Sequence, residues 1–224
     1  MHKRIFALAL ITVAALVMLS GCVINTGGGN PVRGRGSMES HTIYVTGFTG
    51  LDINGGYELT FRQSPNYSIT MVIQGNLFEY VDATVSGGVL YLSNSRNIRT
   101  TGGNTPRLYI YAPELDSINI RGAVDGDIEL NTSNLNIEVS GAATLNLSGS
   151  VDMLNISSAG AASVNAFGMT ATDSTISMTG AGTIDVYATS TLDVRISGVG
   201  SVTYDGNPQV TRNVTGIGVV QSRN

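Results

Sequence analysis

In the second half of the chain, apolar side chains fall at every second position in short runs, such as Leu135, Ile137 and Val139, or Leu192, Val194 and Ile196. That period sends successive side chains to opposite faces, so each run predicts a strand with one face buried. Each run ends at a glycine: INIRGAV around Gly122, IEVSGAA around Gly141, ISSAGAA around Gly160, ISMTGAG around Gly180, VRISGVG around Gly198 and RNVTGIG around Gly216. The glycines are spaced 19, 19, 20, 18 and 18 residues apart. A second short strand follows the turn, as at Leu145-Asn146-Leu147, Val164-Asn165-Ala166, Ile184-Asp185-Val186 and Val202-Thr203-Tyr204, with the middle residue outward. The repeating unit is strand, glycine turn, strand, turn.

Repeats of about 19 residues with this content predict an all-β solenoid, a parallel β-helix in which each repeat is one coil and strands of successive coils pair in parallel. A single coil buries too few apolar side chains to offset the cost of ordering its backbone, so stacking must hold each coil in place. With ~4.8 Å between paired strands, six coils make a rod of about 29 Å. The glycine column predicts a corner that needs either positive φ or close approach of neighbouring backbones. Ala123, Ala142, Ala161 and Ala181, replaced by Val199 and Ile217, read as a tight interior position that widens toward one end. The column Asn119, Glu138, Ser157, Ser177, Arg195 and Asn213 reads as a solvated outer face.

Regular repeats begin near residue 115. Residues 41–112 keep the alternation without the period and predict an irregular N-terminal part of the same domain, which spans 41–220. Ten of the thirteen Phe and Tyr residues beyond Cys22 lie here, from Tyr44 to Tyr111. They read as fillers of wider coils and as a cap against open-edge pairing, with an aromatic platform for carbohydrate as the rival. Asn94 to Asn104 is the most loop-like interior segment and is expected to protrude.

The first residues carry a different message. His2-Lys3-Arg4 precedes an apolar stretch from Ile5 to Leu19, the layout of a secretory signal over residues 1–21. Fifteen residues make roughly 22 Å of helix, short of the ~30 Å hydrocarbon core, so export with cleavage fits better than a permanent span. Leu19-Ser20-Gly21-Cys22 resembles the lipobox of bacterial lipoproteins, in which the cysteine thiol takes a diacylglyceryl group. That resemblance implies that Cys22 is the lipidation site and the membrane partner's anchor. Val23 after it implies outer-membrane sorting, with surface or periplasmic exposure left open. Cys22 is the only cysteine and has no disulfide partner in the chain. Residues 22–40, rich in Gly, Asn and Ser without periodicity, predict a flexible tether.

Composition narrows the function. The chain has 224 residues, 28 glycines, no tryptophan and a net charge of −4, which makes nucleic acid a poor partner. A polysaccharide lyase or hydrolase needs acids converging on one face; Asp125 and Asp127 are the closest pair, and flanking Gly126 they read as solvated turn residues. A hexapeptide acyltransferase wants an aliphatic residue before each glycine and a histidine base. Here Arg121, Ser140, Ala159, Thr179, Ser197 and Thr215 stand there, and His41, the sole histidine beyond the leader, reads as a solvated strand end. One His and one lipidated Cys supply no zinc set and no nucleophile triad, so no metal, cofactor or catalytic residue is expected.

The ordered motifs Phe48-Thr49-Gly50-Leu51-Asp52-Ile53-Asn54-Gly55-Gly56, Ser86-Gly87-Gly88-Val89-Leu90-Tyr91-Leu92, Ala112-Pro113-Glu114-Leu115 and Gly198-Val199-Gly200-Ser201-Val202-Thr203-Tyr204-Asp205-Gly206-Asn207-Pro208 resemble the auto-transporter adhesin family with a head GIN domain over about residues 43–220. The resemblance implies a right-handed parallel β-helix in the bacterial envelope with no established catalytic site. A non-catalytic, lipid-anchored module that contacts polysaccharide or a surface protein is the function this implies, with a periplasmic scaffold or a polysaccharide-active enzyme as alternatives. The family's usual Gly-Ser-Gly becomes Gly-Ala-Ala and Gly-Val-Gly here, which leaves the coil shape intact but does not carry over any surface chemistry of the serine.

Overall fold

The structure is a computed structural model that describes residues 30–223, and its folded unit begins at Pro31. Strands make up 71% of it and form a solenoid of about six turns with coils about 19 residues apart. The N-terminal part contains β1 (Val32–Arg33), β2 (Met38–Ile43), β3 (Gly50–Ile53), β4 (Gly56–Gln63), β5 (Ser68–Gln74), the helical turn α1 (Gly75–Phe78), β6 (Val81–Ser86), β7 (Val89–Asn94), β8 (Ile98–Arg99) and β9 (Arg107–Ala112). The repeats contain β10 (Ser117–Ile120), β11 (Ala123–Val139), β12 (Ala142–Ser158), β13 (Ala161–Met178), β14 (Ala181–Ile196), β15 (Val199–Asp205), β16 (Gln209–Val214) and β17 (Ile217–Ser222).

Successive coils pair in parallel and in register. Asn119, Glu138, Ser157, Ser177, Arg195 and Asn213 are laterally matched from strand to strand, and Asp52 of β3 extends that file beneath Asn119. Inside the coils, side chains such as Ile118, Ile137, Ile156, Ile176 and Val194 stack in the same order and are buried. Coil length varies away from the glycines. Phe167 and its neighbours are taken up where the β12–β13 register shifts, between the pairs Asn146/Asn165 and Ser148/Gly168, so the 20-residue spacing bulges there while the glycine corner keeps its alignment.

The chain enters the stack out of order. β3 and β4 lie directly against β10 and β11, although residues 64–116 intervene. That insertion folds back beneath them: β7 pairs β3 and β9 pairs β4, both in parallel. Three antiparallel pairs then close this end, β6 on β7, β5 on β9 and β2 on β5. The irregular N-terminal part is therefore a mixed-sheet cap, and its rings Phe48, Tyr57 and Phe61 fill the interior.

Two segments differ from expectation. Residues 31–40 are not tether: Val32–Arg33 pairs with Ile98–Arg99, and β2 begins at Met38. The 94–104 segment does not protrude, because it receives that N-terminal strand. The Thr101 hydroxyl donates to the Gly34 carbonyl at 3.0 Å, and the Gln74 amide bridges Gly36 and Thr101. These contacts join residues far apart in sequence, which composition alone does not disclose.

Candidate functional site

The column of glycines has a steric cause. Gly122, Gly141, Gly160, Gly180, Gly198 and Gly216 all occupy bends between strands, and none has positive φ. A Cβ on Gly141 would overlap the Gly122 carbonyl oxygen, one on Gly160 that of Gly141, and so on to Gly216 on Gly198. Gly55 starts the column, since a Cβ on Gly122 would overlap its backbone. The match of Ile53-Asn54-Gly55-Gly56 to Ile120-Arg121-Gly122-Ala123 was the sequence signal for it. At each corner two consecutive N–H groups converge on one carbonyl: Ser140 and Gly141 on Ile120, Ala159 and Gly160 on Val139. The next N–H then bonds the glycine below, as Ala161 does to Gly141 at 2.9 Å. Close approach, and not left-handed backbone, is what demands glycine here.

Alternation continues through the corner, so Ile120, Gly122 and Val124 share the inward phase. Ala123, Ala142 and Ala161 therefore face outward, and Val199 and Ile217 are well exposed, with Ile217 at 77%. The expected interior position belongs instead to Val124, Ala143 and Ala162. Along this outward file runs a groove of about 810 Å3, floored by the alanines and walled by Tyr57, Ile98 and Pro106. Tyr57 is almost wholly buried there, and burial pushes its phenol up to about 12, a rise opposed by its 3.3 Å hydrogen bond to the Asn94 side chain.

The outer wall is polar, and part of its charge is paired. Asp52, 8% exposed, accepts bonds from both Nε and Nη2 of Arg121 and from the Asn119 amide at 3.2 Å. Asp125 and Asp127 lie on the outward face of β11, not in a turn, because Gly126 continues the strand with inward phase. Arg62 on β4 bridges Asp127 at 3.0 Å and Glu129 at 3.3 Å, so Asp127 is half of an ion pair and not a free acid. His41 sits within β2 and stacks on Phe78 at 4.0 Å, with its Nε2 buried and unpartnered, so it is no solvated strand end. Among the described residues, no three His, Cys, Asp or Glu side chains converge to hold a metal ion. Cys22 lies outside the described residues.

Parallel stacked coils, a glycine column and a polar wall define a β-solenoid protein. Residues 47–208 match the family described as "Putative auto-transporter adhesin, head GIN domain", and the chain belongs to that family. The crystal structure of a putative adhesin from Bacteroides fragilis is similar, with 22% identity and a TM-score of 0.68 over 85% of this chain and 99% of that one. A putative adhesin from Parabacteroides distasonis is 19% identical, with a TM-score of 0.49 over 86% of this chain and 100% of that one. No curated protein matches the chain in sequence.

Proposed function

We propose that this protein is a non-catalytic, adhesin-like binding module of the bacterial envelope, held to the outer membrane through lipid on Cys22. The observation that carries the reading is the outer wall. Several of its charged side chains are spent on one another, Arg62 with Asp127 and Glu129 and Arg121 with Asp52, and between them it offers hydroxyl and amide groups on an in-register ladder. Such a surface recognises extended partners by many shallow contacts. Family membership supports an envelope setting. Among the described residues no helix is long and apolar enough to cross a membrane, and the lipobox at Cys22 supplies the anchor in this reading.

Cells fed an alkyne-tagged fatty acid test the anchor. Label is expected on the wild type, absent from Cys22→Ala, and processing is expected to stop with globomycin; labelling of Cys22→Ala would overturn it. Attachment of intact cells to surfaces, compared between wild type and a deletion strain, tests the module. Unchanged attachment together with turnover of a polysaccharide by the purified protein would replace it with the enzymatic reading.

A further inference from the structure

Three tyrosines stand outside the core on one face of the capping sheet. Tyr109 and Tyr111 project from β9 opposite the side of buried Leu108 and Ile110, and Tyr111 is 40% exposed. Tyr44, directly after β2, is 90% exposed; by strand alternation it falls on the side of outward Thr42, since Ile43 packs on the core. Strand register gathers the three. Thr42, Thr70, Tyr109 and Thr60 form one lateral row, and Ser68, Tyr111 and Arg62 form the next, toward which Tyr44 extends.

Tyr44 gains little from burial, Tyr111 keeps 40% of its surface exposed and Tyr109 is half-buried with one side open, and the fold does not ask for rings at these positions. In later coils the row of Tyr109 is filled by Asn146, Asn165 and Asp185. Beside Tyr111 the Arg62 guanidinium is fixed by Asp127, Glu129 and the Phe61 carbonyl at 2.8 Å. Next to it a cleft of about 350 Å3 is bounded by Gln63, whose amide is itself held by the Pro113 and Asn131 carbonyls. The polar groups at this site are therefore preorganised.

We infer that this face binds a neutral polysaccharide, with pyranose C–H faces laid on Tyr44, Tyr109 and Tyr111 and sugar hydroxyls bonded by the Arg62 cluster. The inference rests on the binding-module reading and names its ligand class. Isolated rings set among Thr60, Ser68 and Thr70 match a polymer that alternates apolar ring faces with hydroxyls. A protein partner would call for a contiguous apolar centre, which this face lacks. Four carboxylates on the surrounding strands, Glu58, Asp125, Asp127 and Glu129, outnumber Arg62 and Arg107, so an acidic polymer is repelled.

Affinity electrophoresis of the full chain through gels holding dextran, galactomannan or alginate tests this. Retardation is expected in at least one neutral gel and not in alginate. Combined Tyr44→Ala, Tyr109→Ala and Tyr111→Ala is expected to weaken it about tenfold or more, with Tyr→Phe at the same positions retaining it. Absence of retardation in both neutral gels, retardation in alginate alone, or an undiminished triple variant with an unchanged thermal transition overturns the inference. Beads coated with each protein and scored for attachment to cells separate the two levels. Attachment by wild type and triple variant alike sinks the tyrosine face and leaves the module, whereas no attachment by wild type sinks the module itself.

Discussion

Gly160→Ala probes the packing on which the stack depends. The added methyl would overlap the carbonyl oxygens of Gly141 and Ser140, both backbone atoms that no rotamer change can move. Relief requires the coils to part locally, at the expense of the Ala161 N–H to Gly141 bond at 2.9 Å and the shared bonds of Ala159 and Gly160 to Val139. Overpacking costs about 1–3 kcal/mol and each weakened backbone bond about 1 kcal/mol. Alanine returns only about 0.4–1 kcal/mol by restricting the unfolded chain. A net loss of about 3 kcal/mol follows, or a fall in Tm of roughly 6–12 °C for a domain of this size. Two controls isolate the cause. At Gly56, one residue past the column, a Cβ would meet nothing nearer than the Ala123 carbonyl at 4.0 Å, so Gly56→Ala is expected to stay within about 0.5 kcal/mol of wild type. At Gly103, with φ of 72° and open space around it, alanine is expected to cost about 1–2 kcal/mol from backbone conformation alone. Urea melts of the three variants report these differences. Gly160→Ala melting with wild type, or no worse than Gly56→Ala, would refute the steric origin of the column.

The buried phenol of Tyr57 makes stability depend on alkaline pH. Its value rises from 10 unfolded to about 12 folded, so its contribution is intact below pH 10 and is lost as pH climbs through 12, amounting to about 2–3 kcal/mol. Absorbance near 295 nm is expected to show a tyrosine ionising near pH 12, and Tyr57→Phe is expected to remove that step. Ser174 lies in the interior file between Leu154 and Leu192, with a buried hydroxyl that bonds nothing among the described residues; Ser174→Ala is expected to raise stability by about 1 kcal/mol in a urea melt. Asp52→Ala removes the acceptor of both Arg121 and Asn119 and is expected to cost about 1–2 kcal/mol, with little dependence on salt because the carboxylate is nearly buried.

What could be read in advance was whatever a single coil contains. Leu135, Ile137 and Val139 reveal their strand because the face they bury is local, and the glycines reveal their column because every coil meets its neighbour in the same way. The outer file from Asn119 to Asn213 followed from that repeat alone. Features set by contacts between distant segments were hidden. The cap depends on pairing β5 with β9 and β2 with β5. The ordering of residues 31–40 depends on β8, and the Asp52–Arg121 pair forms only because β3 slots beneath β10. Ala123 faces outward, one phase away from the interior position expected of it, because two N–H groups sharing one carbonyl carry the alternation through the bend. The three tyrosines were visible as residues, but whether a ring fills a coil or faces solvent is decided by register: Tyr57 went inside and Tyr111 stayed out.

Spin labels on the outer file measure the ladder itself. With Cys22 replaced by serine and a nitroxide at residue 213, second labels at residues 177, 157 and 138 lie two, three and four strands away. Dipolar EPR is expected to return separations rising in steps of ~4.8 Å, near 10, 14 and 19 Å. Separations that fail to increase in that order, or that jump by a sheet-to-sheet distance of ~10 Å, would contradict the stacked solenoid.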